Sequence, residues 1–343
     1  MADPARVVVV TGAGAGAGRA IAQRFGRAGW RVALISRSET RLDDARKEIE
    51  AAGGEALAAP ADVADCKTVF AARDRVLDAW GGMDAWVNAA MATVVSPVSE
   101  MTAEEYRRVT EVTYLGCVHG TLAALEPMRA ANKGAIVQVG SALAYRAIPL
   151  QSAYCASKFA IRGFTDSLRT ELLHQDSNIT LTMLQMPAMN TPQFDWARNK
   201  LDDEYQPVGE VFDPDVAAEA AWRAVRDGPR ELWVGGSAIQ AIAGQMIAPG
   251  LLDRYIAKAG WDGQVTSISN PHGPDNLYEP VAGHQAARGR FGAKAKPEAL
   301  ILDPAKLRFA IGATTALAAA AFFALRRTRH QRSDLRPRAI HGA

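Results

Sequence analysis

Cysteine is scarce in this 343-residue chain. Cys66, Cys117 and Cys155 are the only three, odd in number and far apart, with no Cys-x-x-Cys. That excludes a disulfide framework and a cysteine-based zinc site, and points to a reducing, cytoplasmic compartment. Excess charge is also lacking. The formal net charge of +2 argues against a whole-molecule nucleic-acid binder. The N-terminus carries too short an apolar run for a secretory signal, and no cleavage site follows it. No internal repeat is present. One basic concentration stands out, six Arg against one Asp in residues 326–338. Such a tail can bind anionic lipid or nucleic acid, although a solvated tail is the commoner case.

What is present reads as globular. Hydrophobic residues make up 48% and charged residues 22%, ordinary for a packed domain. Short apolar runs alternate with helical patterns over the first 235 residues. The predicted strands are Arg6–Val10, Arg31–Ile35, Ala56–Ala59, Ala85–Asn88, Ala135–Val139, Thr180–Gln185 and Glu231–Val234. Several are continuous Val/Ile/Leu runs, which suits strands covered on both faces. Helical spacing marks Thr40–Ala52, Val63–Trp80 and Ala156–His174. This order predicts an α/β fold with a doubly wound parallel sheet. Residues 236–260 read as apolar helix broken at Pro249-Gly250. Residues 261–304, rich in Gly, Pro, Asn and Lys, read as a linker or irregular arm. The expected division is therefore 1–260 for a dinucleotide-binding catalytic domain, 261–304 for the arm, and 305–343 for a hydrophobic helix and basic tail.

Val7 to Ala20 runs V-V-V-V-T-G-A-G-A-G-A-G-R-A. A strand, then glycines, then a helix is the context of a dinucleotide loop. A diphosphate must approach the backbone closely, and a helix N-terminus supplies free N–H groups and partial positive charge. Thr11, Gly12, Gly14, Ala15, Gly16 and Gly18 form the candidate cradle. A flexible Gly/Ala linker is the alternative. After the second strand stand Ser36 and Arg37, where an NAD site would carry a carboxylate for the ribose 2′-hydroxyl. A hydroxyl and a guanidinium suit the 2′-phosphate of NADP instead, unless Arg37 is only a surface residue. NADP(H) is expected over NAD.

Two further stretches carry chemistry. I-V-Q-V-G-S ends at Ser141 on a strand tip, and Y-C-A-S-K places Tyr154 and Lys158 one turn apart on one helical face. An ammonium beside a phenol is expected to lower the phenol's pKa from about 10 toward the working range. The Tyr then becomes a general acid/base for a hydroxyl or carbonyl. Taken alone, Tyr-x-x-x-Lys is equally an exposed helix pair.

Together these motifs resemble the short-chain dehydrogenase/reductase family, in its single-domain branch, over about residues 5–235. The matching residues are T-G-A-G-A-G-A-G at 11–18, Asp62-Val63, Asn88-Ala89-Ala90, Ser141, Tyr154, Lys158, and Pro187 through Thr191. The resemblance implies a Rossmann fold of about seven parallel strands, a nicotinamide cofactor, a small-molecule substrate, and a homodimer or homotetramer. It implies adenine contacts from Asp62 and Val63, a nicotinamide-ribose contact from Lys158, and carboxamide contacts from Pro187 and Thr191. Tyr154 would move the proton while Ser141 orients the substrate oxygen. There are two departures. Asn88-Ala89-Ala90-Met91 replaces the family's Asn-Asn-Ala-Gly, and Thr113 replaces an Asn that holds a relay water. Thr113 is expected to serve a modified relay or, alternatively, to bond its own helix backbone.

Residues 142–150, with Met91, Met186 and Met189, suggest an apolar pocket for a lipophilic alcohol or ketone, or ordinary core packing. Phe309–Leu325 is 17 uncharged residues, eight of them Ala, flanked by basic residues. It reads as a membrane span, a helix lying on lipid, or a subunit contact. The resulting expectation is an NADP(H)-dependent oxidoreductase with a cytoplasmic catalytic domain. The alternative is an NADP-binding regulatory or membrane-scaffold protein with little or no turnover.

Overall fold

The four valines after Arg6 face two different cores. In the computed structural model, which describes residues 5–270, 273 and 275–307, they open strand β1, Val7–Thr11. Val8 and Val10 pack with Ile21, Phe25 and Leu42, while Val7 and Val9 pack with Val69, Val76 and Leu168. Side chains alternate across a strand, so an unbroken valine run is what a strand covered on both faces requires. The other main strands are β2 (Arg31–Ile35), β3 (Glu55–Ala58), β4 (Ala85–Asn88), β5 (Gly134–Val139), β6 (Ile179–Gln185) and β7 (Glu231–Val234). All seven were legible, with ends displaced by at most one residue. They pair in parallel in the order 3-2-1-4-5-6-7. Strand β8, Ile301–Leu302, extends the β7 edge of the sheet. The order reverses between β1 and β4, which opens a crevice at the carboxyl ends of those strands.

Helices cover both faces: α1 (Gly16–Arg27), α2 (Glu39–Ala51), α3 (Cys66–Trp80), α4 (Ala103–Val109), α5 (Gly116–Ala131), α6 (Ser152–His174), α7 (Pro214–Asp227), α8 (Gly236–Ile247) and α9 (Pro249–Asp262). α3 starts at Cys66 rather than Val63 because the Asp65 carboxylate caps it, accepting from Lys67 N at 2.9 Å. α1 and α7 meet through Phe25, Trp30 and Trp222, whose rings stand edge-on at 5.1–6.1 Å.

β4 carries a buried polar hub. Trp86 Nε1 donates to Asn88 Oδ1 at 2.8 Å, and Asn88 Nδ2 donates to Thr121 Oγ1 and Gln138 Oε1 at 3.1 and 2.9 Å. Gln138 Nε2 closes the ring on Thr121 at 2.9 Å. A buried network satisfied in this way fixes register as well as adding stability.

The boundary expected at residue 260 does not coincide with the edge of a unit. The chain divides into Met1–Ile301 and Leu302–Ala343, so residues 261–301 belong to the first. Of the second, only 302–307 are described. The hydrophobic stretch 309–325 and the basic tail lie outside the described residues. Among the described residues, no helix is long and apolar enough to cross a membrane.

The hub depends on Gly120, where an added Cβ would lie 2.2 Å from Asn88 Oδ1 and 2.7 Å from Trp86 Nε1. Gly120→Ala is expected to destabilise the fold by about 1–3 kcal/mol through overpacking, read by urea unfolding. An unchanged midpoint would show that the hub gives way freely.

Candidate active site

A cleft of about 700 Å³ opens at the strand-order reversal. Its first wall is the glycine loop. Gly12 and Gly16 have φ of 71° and 58°, a region that disfavours any side chain. A Cβ on Gly18 would meet the Gly12 carbonyl oxygen at 2.3 Å, so α1 can press against the end of β1 only with glycine there. Ala15 is the N-cap of α1. It offers no side-chain cap, and the first turn holds no acid. The N-terminus of α1 thus brings partial positive charge to the cleft. Thr11 stands behind this wall rather than in it, since its Oγ1 accepts from Ala89 N and Ala90 N at 3.1 and 3.3 Å.

Ser36, Arg37, Asp62 and Val63 line the same end of the cleft. The Ser36 hydroxyl oxygen is buried without a partner. Arg37 donates to the Tyr278 and Asn276 carbonyls at 2.5 and 2.6 Å. Burial holds its guanidinium below the usual arginine value, and Asp62 offsets part of that. The Asp62 carboxylate accepts from Ala64 N at 3.0 Å and pairs with Arg108 at 2.6 Å.

The chemical end holds Ser141, Tyr154 and Lys158 together. Ser141 sits two residues beyond β5, and its Oγ accepts from Leu143 N at 3.1 Å. It lines the cleft beside Tyr154 and acts to lower that hydroxyl's pKa. Lys158 follows one turn along α6, 3% exposed. Its Nζ donates to the Val139 carbonyl at 2.6 Å and lies 5.4 Å from the Tyr154 ring centroid. The expected lowering of the tyrosine pKa is reversed. Burial pushes the Tyr154 hydroxyl above its ordinary value, with Ser141 acting the other way. Burial also draws Lys158 down to about 8. The ammonium is spent on a carbonyl and the ring face, so desolvation decides both groups. Tyr154 therefore remains a phenol, able to donate a proton, throughout the neutral range.

Pro187 and Thr191 line the cleft opposite the glycine loop, and Thr191 Cβ lies 3.2 Å from where a Gly16 Cβ would stand. Ala89, Ala90 and Met91 border it as well. Besides Thr11, two predicted residues do not reach it. Asn88 is consumed by the β4 hub. Thr113 is fully buried on the π-helical turn Thr110–Leu115. Its hydroxyl donates to Ala92 O and accepts from Ala92 N, both at 3.0 Å. Its donor and one of its two lone pairs are taken by Ala92, and Thr113 stays out of the cleft lining where a relay was expected. It bonds a neighbouring loop, not its own helix.

Other lining residues went unassigned in the sequence. α8 and α9 contribute Ala241, Leu252 and Ile256, signalled only by the apolar break at Pro249-Gly250. Arg41 also lines the cleft, one turn past Ser38, where its serine-arginine spacing was visible. Asn276 and Pro280 come from the irregular arm, where nothing in the side chains marked them.

The residues present fit a dinucleotide. A glycine loop with no room for a Cβ leads to a helix without a side-chain cap, and an orphaned Ser36 hydroxyl lines the cleft together with Arg37 and Arg41. A doubly wound sheet with its cleft at the reversal is the architecture of nucleotide-binding α/β proteins. Comparison with known proteins narrows that class: the short chain dehydrogenase model matches residues 6–202, more than half of the chain, and the chain belongs to this family. It is an oxidoreductase of the type that acts on hydroxyl and carbonyl groups. It is 34% identical over 253 residues to 3beta-hydroxysteroid dehydrogenase 1 of Eggerthella lenta, covering 71% of this chain and 95% of that one. It is 28% identical over 283 residues to the uncharacterized oxidoreductase YxnA of Bacillus subtilis, covering 81% and 79%. Among solved structures it resembles an alcohol dehydrogenase of the archaeon Thermococcus sibiricus complexed with 5-hydroxy-NADP, with a TM-score of 0.57 and 27% identity over 66% of this chain and 95% of that one.

The buried ammonium has a stability cost. With its pKa lowered from 10.5 to about 8, Lys158 weakens the fold fully below pH 8, and the penalty fades as pH rises toward 10.5. Lys158→Met is expected to raise Tm at pH 7, by an amount that shrinks between pH 8 and 10.5. A Tm difference independent of pH would contradict this origin.

Proposed function

We propose that the protein interconverts a lipophilic alcohol and its ketone with NADP(H), using Tyr154 as general acid/base. The observation that carries this reading is the Ser141–Tyr154–Lys158 set opening into a cleft whose other end is a glycine cradle with Arg37. A bound nicotinamide would supply or accept the hydride.

The protein's part is positioning and proton transfer. Tyr154 gives its hydroxyl proton to the carbonyl oxygen during reduction and takes it back during oxidation. Ser141 donates a hydrogen bond to the same oxygen and holds it in place. Lys158, anchored on Val139 O, would hold the ribose beside the tyrosine. Gly12, Gly14, Ala15, Gly16 and Gly18 would cradle the diphosphate, with Pro187 and Thr191 on the carboxamide. Asp62 and Val63 would border the adenine. Ser36 and Arg37 favour a 2′-phosphate because no carboxylate follows β2 there. The solved relative's complex with 5-hydroxy-NADP supports the same choice.

The substrate half supports a lipophilic ligand. Leu143, Met186, Met189, Phe194, Leu252 and Ile256 face it, and apolar walls with few polar anchors select ligands by shape and hydrophobicity. The hydroxysteroid activity in the name of the Eggerthella lenta relative is consistent with such a ligand.

Tyr154→Phe is expected to lower kcat for ketone reduction by roughly 10²–10⁴-fold, with NADPH binding retained. Nicotinamide absorbance over a panel of cyclic and aliphatic ketones, with NADPH and NADH, measures it. Parent-like turnover in Tyr154→Phe would remove the tyrosine from the mechanism.

A further inference from the structure

Residues 275–291 follow the family-matched region and cross the cofactor end of the cleft. Two apolar plugs seat them. Leu277 is fully buried in the cluster that holds Val63 and Val112, and Ala287 is buried in the opposite one. Asp275 pairs with Arg198 at 2.8 Å ahead of the first plug. Between the plugs the chain presents backbone carbonyls to arginines. Asn276 O and Tyr278 O accept from Arg37. Val281 O and Gly283 O accept from Arg41, and Gln285 O from Arg19. Leu277 O accepts from Arg108 at 3.0 Å, and Ala286 O from Gly16 N at 3.2 Å.

We propose that this segment is a positioning arm for cofactor choice: its carbonyls hold Arg37 and Arg41 beside Ser36 as the receptor for the 2′-phosphate of NADP(H). The proposal rests on the NADP(H) reading above. Two guanidiniums close together resist each other and resist burial, and both effects lower the Arg41 pKa. Carbonyl dipoles offset that repulsion without supplying a full negative charge that would compete with a phosphate. Each guanidinium gives the arm two of its five N–H donors, leaving three. Arg41 is further fixed by stacking 4.6 Å over Trp196. The Ser36 hydroxyl, lining the cleft with them, has no partner. Gly14 keeps the corner open, since a Cβ there would lie 2.7 Å from Ser36 Oγ and 3.3 Å from Arg41 Cβ. Asp62, half-buried, is held by Arg108, and Glu279 of the arm is exposed, its charge acting on Arg37 less than that of Asp62. The arm thus holds the two guanidiniums through carbonyls rather than carboxylates, and it orients both cations in advance, which is what selective phosphate binding needs.

Fluorescence titration of the full chain with NADPH and with NADH tests the proposal in the parent, Arg41→Ala, Leu277→Ala and Asp275→Ala, with melting curves for each. All three variants are expected to raise the NADPH Kd on the order of tenfold and to shift the NADH Kd by less than about twofold. The Arg41→Ala/Leu277→Ala pair should lose little more than Arg41→Ala alone. Equal losses for both cofactors would make the arm a plain structural wall and overturn the proposal. If Leu277→Ala fails to fold, Asp275→Ala at the half-exposed anchor decides. A parent that binds NADH as tightly as NADPH would overturn the NADP(H) reading and the arm's role with it. Parent selectivity that survives in the arm variants would overturn the arm's role alone.

Discussion

The contact between Gly18 and the Gly12 carbonyl governs the rest of the site. No side chain fits there, so α1 begins directly against the end of β1. That closeness aims the first turn of α1 along the reversal between β1 and β4. It also places the Gly16 N–H where the arm can bond it and where Thr191 packs against the loop. A helix set back by one methyl group would move the phosphate cradle, the arm and the wall opposite together. Two glycines therefore determine the distance on which every other cleft residue is adjusted.

Burial sets the chemistry at both ends of the cleft. At one end it keeps Tyr154 protonated and makes the Lys158 charge costly, so stability is given up to hold an ammonium inside the protein. At the other end it brings Arg37 and Arg41 together under partial desolvation. The compensation differs between the two ends. Lys158 has one carbonyl and a ring face, whereas the arginines share four carbonyls from a segment with almost no regular structure. Dipoles satisfy a charge without neutralising it. That leaves the guanidiniums free to attract an anion, the property the proposed NADP(H) reading needs.

The fold was legible almost throughout because its signals are local. Valine runs, helical spacing and glycine spacing record what covers each element. Ser141, Tyr154 and Lys158 were legible for the same reason, one lying just beyond a strand and two sharing a helix face. Thr113 and Asn88 stand outside the cleft lining because their side chains bond partners far away in sequence. One bonds the N–H and carbonyl of Ala92, and the other is drawn into a network with Trp86, Thr121 and Gln138. The arm was legible only as irregular, since it acts through main-chain carbonyls that every residue type carries.

The sequence by itself determined the sheet, the glycine loop and the grouping of Ser141, Tyr154 and Lys158, because each is written in spacing and side-chain size. Only the tertiary structure decided the direction of the Tyr154 and Lys158 shifts, since desolvation depends on what covers a group rather than on its neighbours in the chain. Only the tertiary structure brought residues 275–291 back across the cleft to meet arginines some 240 positions earlier. Backbone acceptors leave no trace in the order of residues until the chain has folded around them.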